Sequence, residues 1–340
     1  MPALFRSFVA VLFSCLVLSV SAAVAEPLKL KSGDTIVFIG NTVVERAQKF
    51  GHLETALDLA AGPEVTGLKF RNLGWSGDSV FGDARSYFGE PQEGRERLQK
   101  AVSEASPNVA LICYGTGAAM STTQGWTNEA SVAGRSAAGD EESLALFVEG
   151  YGKLLDLIEA GGGDALREIV LVSPPPLENV GELLPDQTEN NRRLGKVRDA
   201  VKALAEKRGC HFVDLFAAMG GDAFDGSVTE TPLTDNGVHY GEAGYRVLAK
   251  HVVDGLGLQF PDGLLTTDES VEQMRDAVVK KNRLFFHRWR PANETYLFLF
   301  RKHEQGQNAK EIPMFDPLIA EQEKAIGEMR TAIFEELKKR

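Results

Sequence analysis

The chain has 340 residues, with 48 acidic against 37 basic side chains and a formal net charge of −11. That acidity argues against a nucleic-acid partner. The length fits one α/β domain of ordinary size plus an extension.

Residues 1–25 read as a secretory signal peptide. Arg6 supplies a charged start, Phe8 to Val20 are almost wholly apolar, and Ala23-Val24-Ala25 fits a small-residue cleavage site. The run is short for a membrane span, and no other stretch is long and apolar enough for one. The mature chain is therefore expected to begin at Glu26 and to be exported, periplasmic or extracellular. Losing Arg6 takes its charge to −12, from −11. Cys113 and Cys210 remain, each inside an apolar strand-like run, and are expected as buried free thiols.

Apolar runs then recur at "TIVFIG", "LKFRNLGWSG", "NVALICYGTG", "EIVLVSPPP" and "CHFVDLF". Helix-like stretches alternate with them at Val43–Ala61, Gly94–Ser103, Leu144–Ala160 and Asn190–Arg208. Strand and helix alternating about five times predict a parallel sheet covered on both faces. Such sheets place their sites at the carboxyl ends of the strands, where "GNT", "GWSGD", "YGTGAAM" and "SPPP" fall. Within "IVFIGNTVVER", Gly40 is expected to allow a sharp turn, and Asn41-Thr42 to start the next helix. Residues 116–142 are small, polar and aperiodic, and read as a lid or a solvated insertion.

The α/β pattern stops near Phe260, which divides the mature chain into residues 26–262 and a helical extension, 263–340. Ser270 and Gln273 suggest a capping box for a helix to about Asn282. An aromatic and arginine-rich stretch follows, then a charged periodic helix from about Asp316 to Lys339. Leu284, Phe285, Phe286, Tyr296, Phe298 and Phe300 are expected to dock on the α/β part. Arg288, Trp289 and Arg290 have two readings: packing, or contact with a sugar or an anionic ligand.

The most informative histidine is His239, in "DNGVHYGEAGY". It reads as a base on a loop beside the sheet, or as a capping or core histidine. His211 and His251 lie in apolar periodic stretches and read as structural. No His or carboxylate pair has metal-ligand spacing, and no cofactor is implied.

In order and spacing these pieces resemble the SGNH (GDSL) family of ester hydrolases over roughly residues 30–256. "VFIGNT" stands at the nucleophile block, putting Thr42 at the serine. "LGWSGDSV" resembles the second block, with Gly77 as an oxyanion-hole N–H. "YGTGAAM" resembles the third block, and "NGVH" the final D-x-x-H. The resemblance implies a flavodoxin-like three-layer α/β/α fold and lipid, acyl or acetylated-sugar esters as substrates.

Several positions depart from the family pattern. Thr42 replaces serine, Gly117 stands at the oxyanion-hole asparagine, and Asn236 stands at the aspartate. Threonine's extra methyl restricts its rotamers. Losing one oxyanion donor costs about 10²–10³ in turnover, and exchanging the orienting acid for an amide roughly 10⁴. Asp235 is the candidate to replace the lost acid, and Asn41 or Thr116 to replace the lost donor. Trp75 and Thr116 are candidate ligand contacts. Two functions follow as expectations. One is an ester hydrolase, with Thr42 as nucleophile, His239 as base, Asp235 orienting it and Gly77 binding the oxyanion. The other is a binding protein for carbohydrate or another ligand, with a degenerate triad.

Overall fold

The computed structural model describes residues 26–86, 89–120 and 140–339. The expected signal segment and residues 121–139 of the expected lid lie outside them. Five parallel strands form the sheet: β1 (Thr35–Gly40), β2 (Lys69–Asn72), β3 (Val109–Cys113), β4 (Glu168–Val172) and β5 (His211–Val213). Their order is β2-β1-β3-β4-β5, and Gly40 of β1 pairs with Cys113 of β3. The chain reverses its direction of winding between β1 and β3, the crevice where such sheets hold ligands.

Alternation along the strands sorts the core into two layers. Val37, Ile39, Ala110, Ile112 and Leu171 face one cluster, together with side chains from α3 (Pro91–Ala105), α5 (Asp140–Gly162) and α6 (Thr188–Arg208). Ile36, Phe38, Val109, Leu111 and Val170 face the other, with α1 (Thr42–Phe50), α2 (His52–Ala60) and α7 (Glu242–Gly255). This is the expected three-layer α/β/α arrangement. Between α3 and α5, β3 leads into a short helix, α4 (Thr116–Met120). The expected loop at 116–142 is thus helical at both of its described ends. The single helix expected over 43–61 is two, broken at Gly51, which is left-handed at φ 72° and caps the first.

Gly40 is not a positive-φ glycine. A Cβ there would lie 2.3 Å from the Cys113 carbonyl oxygen and 2.5 Å from a Val44 methyl. Close approach of backbone to backbone therefore requires the glycine, rather than the turn angle. Both thiols are free, as expected. Burial pushes Cys113 up to about 12 and the half-buried Cys210 up to about 11, so neither is a reactive thiolate. His211 pairs with Glu168 at 3.2 Å. No helix among the described residues is long and apolar enough to cross a membrane.

The C-terminal segment contributes α8 (Glu269–Trp289) and α9 (Phe315–Leu337). The capping box is not formed. The helix starts at Glu269 after Asp268, and Gln273 turns to Glu269 instead. Leu59 of α2 shares an apolar cluster with Val271, Met274, Val278, Ile326 and Ile333. Phe285 and Trp289 pack against the core of the sheet, but Phe298 and Phe300 are exposed, against expectation. They follow a single helical turn, Glu294–Leu297, of which only Leu297 is buried.

Charge also holds the segment in place. Lys281 is buried and reaches both oxygens of buried Glu54, at 2.7 and 2.8 Å, and the Phe70 carbonyl at 3.1 Å. Burial pushes the carboxyl of Glu54 up and the amine of Lys281 down, and each partner opposes the other's shift. Arg330 pairs with Asp58 at 3.0 Å, and Arg71 with Glu323 at 2.5 Å. Lys281→Ala would leave Glu54 buried and unpaired. It is expected to cost about 3–5 kcal/mol in urea unfolding, with the Glu54→Gln/Lys281→Met pair recovering most of the loss.

His52 lies where α2, α7 and α8 meet. Burial, then Arg275 and Arg246, lower its pKa to about 4, with Glu272 opposing. Glu242 is 3.9 Å from its Nε2. The folded value lies below the unfolded one, so between about pH 6.5 and 4 only the unfolded chain takes up this proton. Stability supplied by neutral His52 is complete above that window and is lost as pH falls through it. Urea midpoints for wild type and His52→Gln are therefore expected to converge on acidification from pH 7 to 4.5.

Candidate active site

The end of β1 passes through Asn41 into α1, whose first residue is Thr42. The Asn41 carboxamide oxygen caps the helix by accepting from the Val43 N–H at 3.4 Å, as the sequence suggested. Opposite lies the turn Trp75-Ser76-Gly77-Asp78, closed by the Asp78 N–H donating to the Trp75 carbonyl at 3.1 Å. Gly77 has φ 80°, which the third position of a type II turn requires. Its N–H donates to Thr42 Oγ1 at 3.3 Å. Thr116 and Gly117 open α4 after β3, and Asn236 and His239 stand on the loop before α7. Asn41, Thr42, Gly77, Thr116, Gly117, Asn236 and His239 line one cleft of about 480 Å³.

Two expected site residues are elsewhere. Trp75 is 4% exposed, with the Arg290 guanidinium 3.5 Å above its ring, so it offers no face to a ligand. Asp235 turns its carboxylate to Arg46 at 3.0 Å and is largely exposed. Its backbone N–H donates to the His239 carbonyl at 2.8 Å, and this ladder pairing directs its side chain away from the imidazole. Asp235 does not stand in for the triad acid.

Asn236 holds the imidazole instead, and the direction of that bond can be derived. Its Oδ1 accepts from the backbone N–H groups of Val238 at 3.2 Å and His239 at 2.9 Å. Those groups only donate, so the carboxamide cannot be flipped, and its NH₂ must face His239 Nδ1, 3.1 Å away. Nδ1 is then an acceptor and the ring proton sits on Nε2. A base for Thr42 needs the opposite tautomer, with Nε2 free. Among the described residues no hydrogen bond joins Thr42 to His239.

Charge on the ring is disfavoured as well. Burial and the nearby Arg46 hold His239 below its usual pKa, while Asp235 opposes them from a distance. An imidazolium would also set Nδ1–H against the Asn236 NH₂, two donors face to face. His239 is therefore neutral at pH 7 and offers Nε2–H as a donor.

The replacement oxyanion donors are incomplete. Gly117 lines the cleft with no side chain, and a Cβ there would meet nothing within 4 Å. The Thr116 hydroxyl is buried and makes no hydrogen bond among the described residues. Arg46 was missed by sequence reasoning, although it stands one helical turn after Thr42 on the same face. Its guanidinium bonds Asp235 and the Tyr240 carbonyl at the cleft's edge. Also missed was a buried group behind the turn. Asp78 accepts from Arg85 Nε at 2.5 Å and from the Tyr114 hydroxyl at 2.7 Å. No cluster of three or more His, Cys, Asp or Glu side chains that could hold a metal occurs among the described residues.

A parallel sheet with a cleft at its switch point, a hydroxyl on a strand-to-helix elbow and a facing glycine N–H are features of an α/β protein of ester-hydrolase type. The model of the GDSL-like lipase/acylhydrolase family matches residues 47–247, more than half of the chain, and the chain belongs to that family. The match takes in Gly77, Gly117, Asn236 and His239 and starts five residues after Thr42.

Several solved structures are similar. A catalytic variant of Axe2, an acetylxylan esterase from Geobacillus stearothermophilus, aligns at 20% identity and TM-score 0.48, covering 70% of this chain and all of that one. LAE5, an α/β hydrolase from the metagenome of Lake Arreo in Spain, aligns at 19% identity and TM-score 0.47, covering 67% of this chain and 97% of that one. BT4096, a gut microbial diltiazem-metabolizing enzyme, aligns at 15% identity and TM-score 0.48, covering 67% of this chain and 48% of that one. No curated protein matches the chain.

The tautomer has a spectroscopic consequence. Nitrogen-15 shifts should show His239 protonated at Nε2 and titrating below the ordinary histidine range near pH 6.5. Asn236→Asp should move the proton to Nδ1 and raise the titration midpoint.

Proposed function

We propose that the chain binds acyl or acetyl esters, carbohydrate esters among them, in the cleft between Thr42, Gly77 and His239, and hydrolyses them only feebly. Family membership and the Gly77 N–H beside the Thr42 hydroxyl support an ester-recognising site. The observation that carries the weakness is the Asn236–His239 bond, because it puts the ring proton on the nitrogen that should take one from Thr42. Exchanging the orienting carboxylate for an amide costs roughly 10⁴ in turnover. With one oxyanion donor also missing, the expected rate is at least about 10²-fold below that of an ordinary esterase.

The same bond favours a second reading, ligand binding without turnover, since neutral His239 keeps an Nε2–H to donate to a carbonyl or hydroxyl oxygen. Export to the periplasm or the medium is part of this proposal and rests on the pattern of residues 1–25. It implies extracytoplasmic esters as ligands.

Restoration separates the two readings. Thr42→Ser removes the extra methyl, Asn236→Asp returns the acid, and Gly117→Asn enters open space. Because triad groups act as a unit, the triple variant should gain far more activity on short acyl esters than the product of the single gains. Wild-type turnover that is feeble but abolished by Thr42→Ala identifies a slow hydrolase. Wild type and Thr42→Ala alike at background, with ester binding retained, identify a binding protein. Brisk wild-type turnover would overturn the proposal.

A further inference from the structure

The C-terminal segment reaches the Gly77 turn through Arg290 and Trp289. Arg290, at the end of α8, donates from Nη1 to Glu45 Oε2 at 2.7 Å. The same carboxylate oxygen accepts the Ser76 N–H at 2.7 Å. The Arg290 guanidinium lies 3.5 Å from the centre of the Trp75 ring, which Trp289 also meets edge-on at 5.9 Å. One planar cation thus touches both the first residue of the Gly77 turn and the carboxylate that holds its second.

We propose that Arg290 is a positioning residue for this turn, holding the Gly77 N–H toward the cleft by fixing Glu45 and Trp75. The inference rests on the reading that Gly77 faces the ligand's carbonyl oxygen. The base of the turn needs no help. Trp75 N–H donates to the Gly40 carbonyl at 2.9 Å, and Asp78 N–H closes the turn on Trp75. The apex differs. Ser76 and Gly77 are both exposed, and among the described residues their N–H groups are held by side chains of α1, Glu45 and Thr42.

A glycine third in a turn tolerates both signs of φ, so the Ser76–Gly77 peptide plane can flip and carry the Gly77 N–H away. Holding the Ser76 N–H, which belongs to the preceding Trp75–Ser76 plane, fixes the pivot from which the Gly77 N–H is aimed. Glu45 can do so only while its own rotamer is fixed, and Arg290 supplies the fixed partner. A planar guanidinium stacks on the indole and pairs with the carboxylate at once, which an ammonium does not.

The test is native-state amide exchange of the full mature chain, resolved by NMR and free of any ester. Arg290→Ala should speed exchange at Ser76 and Gly77 by about tenfold, the scale of one lost charge-assisted hydrogen bond. Arg288→Ala is the control. It breaks the segment's exposed pair with Asp316, at 2.7 Å, without touching the turn. It should leave exchange at Ser76 and Gly77 unchanged. Should Arg290→Ala fail to fold, Glu45→Gln, which keeps the side chain's shape, carries the same expectation. Unchanged exchange in the Arg290 or Glu45 variant, or equal acceleration by Arg288→Ala, would overturn the proposal. Because no ester is present, this result stands apart from whether the cleft binds or cleaves one.

Discussion

Gly40 presses against the Cys113 carbonyl so closely that an added Cβ would lie 2.3 Å from it. That approach fixes how β1 leaves the sheet beside β3, and with it the direction in which α1 begins. The Thr42 hydroxyl then has nowhere to point but the crevice at the switch in strand order. The Trp75–Asp78 turn is tied to the same place, because the Trp75 N–H donates to the Gly40 carbonyl itself. A single backbone position thus sets the distance between the hydroxyl and the N–H facing it. The cleft follows from the packing of the sheet and survives changes in the groups that line it.

Those groups carry the proposed weakness, in a cleft whose shape does not depend on them. Asn236 and an aspartate have nearly the same form, and either would accept the backbone N–H groups of Val238 and His239 through one oxygen. They differ in what the second atom offers the imidazole. An oxygen takes the Nδ1 proton and leaves Nε2 basic, while an NH₂ forces the reverse. Three bonds of ordinary length therefore decide whether His239 can serve as a base. The hydroxyl of Thr42 accepts from the Gly77 N–H, the group that the proposed reading assigns to an ester's carbonyl oxygen.

Much of this was legible in the sequence, for a physical reason. Parallel strands covered on both faces read as apolar runs, and all five were found in order, with the family blocks at their ends. Thr42, Gly77, Thr116, Gly117, Asn236 and His239 come together because each follows the carboxyl end of a strand or stands just before the last helix of the sheet layer. Spacing could not tell where a side chain turns once it arrives. Asp235 precedes the loop asparagine directly, yet the pairing of its backbone with His239 points its carboxylate at Arg46. Trp75 has the look of a sugar platform, but a residue 215 positions later covers it. Contacts of such sequence separation leave no local pattern.

The C-terminal segment illustrates what buried charge contributes. A buried Lys–Glu pair such as Lys281–Glu54 adds little stability relative to apolar side chains of the same volume, since desolvation offsets most of the attraction. It does penalise every alternative docking in which either charge loses its partner. Lys281 and Arg290 are separated by nine residues, about 13–14 Å along a helix at 1.5 Å per residue. Seating Lys281 on Glu54 therefore sets where along α1 the guanidinium of Arg290 falls. A helix held by apolar contacts alone could slide by a turn and still bury Val271, Met274 and Val278. With the ion pair in place, sliding strands a charge, and the one register left puts Arg290 against Glu45 and Trp75, behind the Gly77 turn.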